Sequence, residues 1–404
     1  MSHCSRAGAS LALLIAVAAA CAVDAPTGTG LLFDRAMLAA GVAPGSPVAL
    51  LSASERALFT RGKAVFATDF TPETGLGPLF NSTSCAECHE DPVVGGVGDE
   101  VEVHATAYHS GASPACDDLS ATGGPVIQQH VTPALQAALG IDAEPVPAAA
   151  TATGHRTTPS ILGFGLLDAV PDAEILALAD VQGSGSDGIS GRPNRDADGR
   201  VGRFGRKAQV SNLREFTAGA FVMEMGITNP GSPTEQTVGG NPLPAGVDPT
   251  PEPELSAGDL DAADAFVRFL AAPTPIGSAL GQARGKRIFS QIGCAGCHVP
   301  QLTTGPSSAR ALTNKVVPAF TDLLLHDMGP DLADICLGLA EPAEFRTEPL
   351  MGLRFVSAFL HDGRAATIEQ AVALHAGEGA GARDRFLALS DRERAILLKF
   401  LGNL

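Results

Sequence analysis

Arg61-Gly-Lys-Ala-Val-Phe66 followed by Cys85-Ala-Glu-Cys-His89 returns later in the chain as Arg284-Gly-Lys-Arg-Ile-Phe289 followed by Cys294-Ala-Gly-Cys-His298. Two composite patterns in the same order mark an internal duplication. The echo continues downstream, where His155-Arg-Thr-Thr-Pro159 is matched by Phe345-Arg-Thr-Glu-Pro349. Each half then closes on an apolar helical pattern. The first spans 259–271 and contains Val267-Arg-Phe-Leu270; the second spans 390–404 and contains Leu398-Lys-Phe-Leu401. Asp259 and Ser390 stand where an N-cap would help. The repeated unit is therefore a short amphipathic helix, a cysteine loop, a long irregular stretch and a closing helix. The first copy carries insertions at 71–80, 94–150 and 180–203. The Pro/Gly-rich segment 228–253 reads as a loop inside that copy, because its closing helix comes afterwards. Strand signals are weak, and the prediction is a mainly α fold with extensive coil.

Each Cys-x-x-Cys-His has a physical logic. Two thiols at this spacing can add to the two vinyl groups of one haem, and the adjacent histidine then ligates the iron. The competing readings are half of a zinc site or a redox-active Cys-x-x-Cys. Two copies in duplicated contexts favour two covalently bound haem c groups, held by Cys85, Cys88 and His89 and by Cys294, Cys297 and His298. Two cytochrome c-like domains in tandem follow as the expectation: 1–24 as leader and linker, 25–273 as the first domain and 274–404 as the second.

The leader supplies the compartment. Arg6 precedes an apolar run over 10–20 that ends in Ala18-Ala-Ala20, the form of an export signal too short to span a bilayer as a helix. Cys21 follows at once. It suits acylation and attachment to a membrane, which would make a periplasmic or outer-membrane lipoprotein, while ordinary cleavage would release a soluble periplasmic protein. Of the eight cysteines, Cys4 leaves with the signal, Cys21 is the lipid candidate and four belong to the haem motifs. Cys116 and Cys336 remain, and in an oxidising compartment they are expected to pair. A hydrophobic content of 45% against 18% charged residues permits a buried core. A net charge of −17 excludes nucleic acid as a partner and favours a neutral or basic redox partner.

Activity depends on the sixth ligand of each iron, because two protein ligands give an electron-transfer haem and one leaves a site for a small oxidant. In the second copy a helix over 367–375 presents His375. In the first, the matching helix starts at Ser211, and aligning Leu213 with Ile368 sets Ala220 opposite His375. His375 is thus the candidate sixth ligand of the second haem, and Met328 is its rival. The first haem faces a side chain that cannot coordinate. Glu224, one turn beyond Ala220, is the candidate proton relay there, against the alternative of a solvated carboxylate. Arg156 and Arg346, at equivalent repeat positions, are candidates for the haem propionates. His326 and His361 read as hydrogen-bonding residues, and His104, His109 and His130 lie in the insertion within possible reach of the first haem. Asn194-Arg-Asp-Ala-Asp-Gly199 looks like the start of a calcium loop, but Gly205 replaces the closing glutamate.

Further motifs carry a resemblance over about residues 50–404. Gly75-Leu-Gly-Pro-Leu-Phe-Asn81, Gly188-Ile-Ser-Gly-Arg-Pro-Asn194, Gly202-Arg-Phe-Gly205, Glu224-Met-Gly-Ile-Thr228, Leu325-His-Asp-Met-Gly329 and Phe359-Leu-His-Asp-Gly-Arg364 resemble the thiol-oxidoreductase branch of the di-haem peroxidase superfamily. That superfamily includes bacterial cytochrome c peroxidases, MauG and the rubber oxygenases. The resemblance implies a peroxidatic N-terminal haem and an electron-accepting C-terminal haem. It also implies a small donor protein such as a monohaem cytochrome or a cupredoxin, with peroxide or another small oxidant as substrate. His375 falls at the family's distal-ligand position and Glu224 at its acid-base position; bridging calcium occurs in the superfamily. The chain departs from the pattern at Phe216, where cytochrome c peroxidases carry Gln, and at Arg206 and Met351, where relatives often carry Trp. With no Trp and Tyr108 as its one Tyr, it offers little to long-range radical transfer, and Phe204 is left to pack between the haem sites. A non-catalytic electron carrier and an oxidase of thiols or organic substrates are the alternative functions.

Overall fold

The duplication is visible as two matching helix pairs. A computed structural model describes residues 43–180, 182–183 and 188–404; the leader and Cys21 lie outside the described residues. The helices that organise the site are α1 (Ala53–Phe66), α2 (Leu213–Met225), α3 (Ala257–Phe269), α4 (Ala279–Gln291), α5 (Ile368–Ala373) and α6 (Asp391–Leu401). Each starts on a side chain that accepts a main-chain N–H left open by the first turn: Ser52, Asn212, Ser256, Ser278, Thr367 and Ser390. Ser52 with Glu55 and Ser390 with Glu393 complete capping boxes. The cap of α3 corrects the sequence reading. Ser256 holds that place, and Asp259 is the residue whose N–H it accepts, at 3.1 Å.

Why the same Arg-Gly-Lys segment begins both units is clear from the packing. α1 lies on α3, and a Cβ at Gly62 would run into the carbonyl of Ala262. α4 lies on α6, and a Cβ at Gly285 would run into Phe400. Glycine lets each leading helix meet its closing helix at backbone distance. Aromatic rings then fill the seam, Phe59 and Phe66 lying 5.2 and 5.0 Å from Phe266, and Phe289 lying 5.9 Å from Phe400.

The insertion departs from the expected coil. It builds a four-stranded antiparallel sheet around β1 (Val101–His109), with β2 (Ala115–Asp117) and β3 (Val126–Ile127) on one edge and β4 (Ala152–Thr157) on the other. β4 contains His155-Arg-Thr157. Its counterpart in the repeat, Phe345-Arg346, lies in β6 (Glu344–Arg346), paired with β5 (Leu325–Asp327). The echoed motif is therefore a strand in both halves. Elsewhere short elements are joined by long irregular segments, as expected.

The halves share their interior. The largest apolar cluster joins Phe59, Phe266 and Leu270 to Leu302, Val317 and Leu324, whereas a second cluster around Phe289, Phe386 and Phe400 stays within the C-terminal half. Main-chain bonds cross between them, from Thr157 N–H to His361 O at 3.1 Å and from Arg346 N–H to Arg206 O at 2.9 Å. A disulfide joins Cys116 to Cys336 with Cα atoms 5.8 Å apart, as the leftover-thiol argument predicts. The described residues form one compact unit. Among them no helix is long and apolar enough to cross a membrane.

Candidate functional site

Both cysteine loops fold alike. Cys85–Cys88 form one helical turn capped by Ser84, and Cys294–Gly296 form a tighter turn introduced by Gly293. In each, the histidine N–H donates to the carbonyl of the first cysteine at 3.0 Å. The last aromatic of the leading helix packs on that histidine: Phe66 lies 5.9 Å from His89, and Phe289 lies 6.3 Å from His298. His89 Nδ1 meets Gly96 O at 3.1 Å and His298 Nδ1 meets Phe320 O at 2.9 Å. A ring whose Nδ1–H is donated to a carbonyl has its Nε2 lone pair free for a metal.

His375 is prepared in the same way, with Nδ1 at 2.8 Å from Ala371 O. Helix α5 is shorter than predicted and ends before this residue, so the ring turns back over the last helical turn. His298 and His375 line one cavity together with Cys294, Cys297 and Met328. Burial, with a smaller contribution from His375 and against the bond to Phe320 O, lowers His298 to about 4. Burial lowers His375 as well. Both imidazoles are neutral at neutral pH, the form that ligates a metal. The polar end of the cavity holds Arg206, Arg346, Thr347 and Glu348. Arg206 and Arg346 pair with Glu348 at 3.0 and 2.6 Å, yet the Nε of each and the Thr347 hydroxyl are buried without a partner.

At the first site, burial lowers His89, and three carboxylates bear on the cysteine loop, Glu224 on both Cys85 and Cys88, and Glu100 and Glu102 on Cys88. Glu224 lies in the last turn of α2, one turn beyond Ala220, as the repeat alignment requires. Its Oε2 accepts a hydrogen bond from Asn81 Nδ2 at 3.0 Å, and its carbonyl accepts the main-chain N–H groups of Asn81 and Ser82 at 2.7 and 3.2 Å. Burial raises its pKa well above the carboxylate range. The charge of Glu102 raises it further, and the bond from Asn81 pulls it down. Glu102, on β1, is a residue that sequence reasoning missed; it pairs with His104 at 3.0 Å and its charge also bears on His89. Phe216 does not enter a polar pocket. It joins Phe204 and Phe164 in an aromatic cluster with centroids 5.5 to 6.3 Å apart. Phe164 lines the second cavity while Phe216 and Cys85 pack against the same core, so this cluster spans the ground between the sites.

The other candidates sort by their partners. His326 has both ring nitrogens engaged, by Glu378 and Asp322 at 2.9 Å each. Burial disfavours its charge, but the two carboxylates hold it protonated, with a pKa raised to about 12. His361 stacks on Phe345 at 4.3 Å and faces Asp334. His326 thus acts as a hydrogen-bonding residue, while the His361 ring makes its contact to Asp334 at 3.3 Å without a hydrogen bond. His130 stands across from Phe80 in a short strand pair, and His109 ends β1. Arg156 is committed through Nη1 to a buried pair with Asp334, which leaves only Nη2 without a partner; of the two predicted propionate residues, Arg346 is the one beside the cavity. The calcium reading of 194–199 meets an obstacle. Asn194 Oδ1 already accepts the N–H groups of Arg195 and Leu339 at 2.8 and 2.9 Å, and Asp196 is tied to Arg200.

The donor set fits haem better than its rivals. Burial pushes the thiols of Cys85, Cys88 and Cys294 up to about 12, the reverse of the lowered value that makes a redox nucleophile. Neutral imidazoles with free Nε2 atoms, an apolar cavity beside paired thiols and orphaned donors at its polar end suit an iron porphyrin with its carboxylates.

Comparison with known protein families agrees. No curated protein sequence matches the chain. Among solved structures, hydrazine synthase of Kuenenia stuttgartiensis is 15% identical with a TM-score of 0.38, covering 90% of this chain and 95% of that one. A MauG-like protein associated with microbial copper homeostasis is 16% identical with a TM-score of 0.37, covering 89% and 91%. Residues 148–404 match the family described as "di-haem oxidoreductase, putative peroxidase", and the chain belongs to that family.

Proposed function

We propose that this chain is an exported, two-domain di-haem c-type oxidoreductase that reduces peroxide at the Cys85/Cys88/His89 site, with electrons entering through the Cys294/Cys297/His298 site. The observation that carries the proposal is the inequality of the two sites. One brings two ring-locked imidazoles, His298 and His375, to a single cavity; the other brings to the cysteine loop the charge of a fully buried carboxylate, Glu224, from the helix end where the repeat has His375. An iron porphyrin with one open face supplies binding of the oxidant and exchange of electrons with it. Glu224 takes a proton from one peroxide oxygen and returns it to the other, so that the leaving group departs as water; two electrons and two protons complete the reduction to two waters. Phe204 and its neighbours fill the ground between the sites and exclude water from it. Arg206, Arg346 and Thr347 hold the carboxylates of the second haem.

The Cys116–Cys336 disulfide supports an oxidising compartment. Attachment through a lipidated Cys21 suits the leader, and the net charge of −17 suits a basic donor protein, of the monohaem cytochrome or cupredoxin kind.

Two measurements on the purified holoprotein test this. One haem signal shifts on addition of cyanide or carbon monoxide; two low-spin haems inert to both would establish an electron carrier. Glu224→Gln lowers peroxide turnover by about 10²- to 10⁴-fold while both haem spectra stay as they are. Turnover unchanged in that variant, or retained with a thiol or organic substrate alone, removes the peroxidase reading.

A further inference from the structure

The acid at the first site does not stand alone. We propose that Asn81 is a positioning residue for Glu224, its amide locked so that only the NH2 group can face the acid. The inference deepens the peroxidase reading and rests on it.

The lock comes from the main chain. Gln129 N–H meets Asn81 Oδ1 at 3.0 Å. A peptide N–H can only donate, so the oxygen of the Asn81 amide must face it, and Nδ2 is left facing Glu224 Oε2 at 3.0 Å. Gln129 is itself anchored, since its Nε2 donates to Val101 O at 2.9 Å and the next residue pairs across Phe80. The Asn81 N–H meanwhile donates to the Glu224 carbonyl. One residue thus grips the carboxylate by its side chain and the end of α2 by its backbone. With Oε2 committed, proton exchange falls to Oε1.

The consequence is a balance of opposing effects on one acid. Burial and the charge of Glu102, itself paired with His104, favour the protonated form; the donor on Asn81 favours the anion. From the haem loop the facing groups are Cys85 and Cys88. From α3, packed beside α2, Asp261 is spent on Arg214 near the other end of the helix. Among the described residues Asn81 is therefore the hydrogen-bond donor that holds Glu224 toward ionisation. A base at this place must be ionised before it can take a proton.

Asn81→Asp and Asn81→Ala, each as the holoprotein, test the role beside Glu224→Gln. Aspartate has the shape of asparagine but presents no NH2 group. Two pH profiles are read: peroxide turnover, and the association rate of cyanide, which binds iron after hydrogen cyanide has given up its proton. The acid limb of both profiles moves upward by about one pH unit in Asn81→Ala, from loss of a charge-assisted bond, and by at least as much in Asn81→Asp. A residue that merely fills space would leave Asn81→Ala on the wild-type profile, and that result overturns the proposal; Asn81→Asp adds the repulsion of its own charge to the loss of the donor. If Glu224→Gln impairs turnover while the Asn81 profiles stay fixed, only this inference falls. If Glu224→Gln changes neither profile, the peroxidase role of the acid falls with it.

Discussion

Removing the Cys116–Cys336 disulfide should cost the protein more stability than any single apolar truncation. The bond closes a loop of 220 residues, from β2 of the insertion sheet to the segment between β5 and β6. The chain-entropy relation for a loop of that length gives about 5 kcal/mol at room temperature, with native-state relaxation acting to reduce it. The substitution should be made at Cys116, which is half-buried. Cys336 is fully buried and its N–H donates to Thr106 Oγ at 3.1 Å, so altering it would add a packing cost to the loss of the cross-link. Guanidinium unfolding of the Cys116→Ser holoprotein, followed by haem absorbance and far-ultraviolet dichroism, reads the difference. The sheet that bears Glu102 and the half that bears His375 should separate at lower denaturant. A loss below about 1 kcal/mol would refute the argument, because it would mean that residual structure keeps the loop nearly closed in the unfolded chain without the bond.

Two other outcomes follow from the site and its surroundings. His375→Ala should convert one low-spin haem signal to high spin and leave the other unchanged; an unaltered spectrum would reject His375 as an axial ligand in favour of Met328, which lines the same cavity. Glu235, Asp248, Glu252 and Glu254 crowd within 4.8 Å, and burial first, then the neighbouring carboxylates, raise Glu235 to about 9 and Glu254 to about 7. An acid whose pKa is raised by folding stabilises the fold only while protonated, so the melting temperature should fall as pH climbs from about 5 to 9. Glu235→Gln should flatten that decline, and an unchanged pH dependence would show that the crowding is relieved in solution.

The fold was legible in the sequence wherever a repeat gave two readings of one unit. The paired helices and the cysteine loops follow from such comparisons, and the disulfide follows from the two thiols left over once the others are assigned. The insertion had no second copy, and there the period-2 signal was overlooked. Val101-Glu-Val-His-Ala-Thr-Ala-Tyr-His109 alternates small or apolar residues with polar ones along its length, the mark of a half-buried strand. Reading it so would have put Glu102 and His104 on the same face of β1, two residues apart, and flagged them together. Arg206 and Thr347 could not be found this way. Their claim rests on buried donors left without partners, which depend on how Glu348 is placed between Arg346 beside it and Arg206 far away in sequence.

The alignment of Ala220 with His375 was legible, but the reason the copies differ in chemistry lies in helix length. In the second copy, helix α5 stops after six residues and hands His375 to the cavity with its Nδ1 turned back to Ala371 O. In the first, α2 runs for thirteen residues to a left-handed Gly226, so the chain that would have left the helix beyond Ala220 instead completes another turn and presents Glu224 from its end. An acid in the last turn of a helix sits at the negative end of the dipole, which, like burial and Glu102, disfavours its charge. The N–H groups of Asn81 and Ser82 offset this by closing on the Glu224 carbonyl, and Asn81 adds its side-chain donor to the acid itself. Ala220 thus leaves the first site without the imidazole that His375 gives the second, two further turns of helix bring Glu224 there instead, and under the proposed function the segment just before the first cysteine loop supplies the groups that hold this acid toward ionisation.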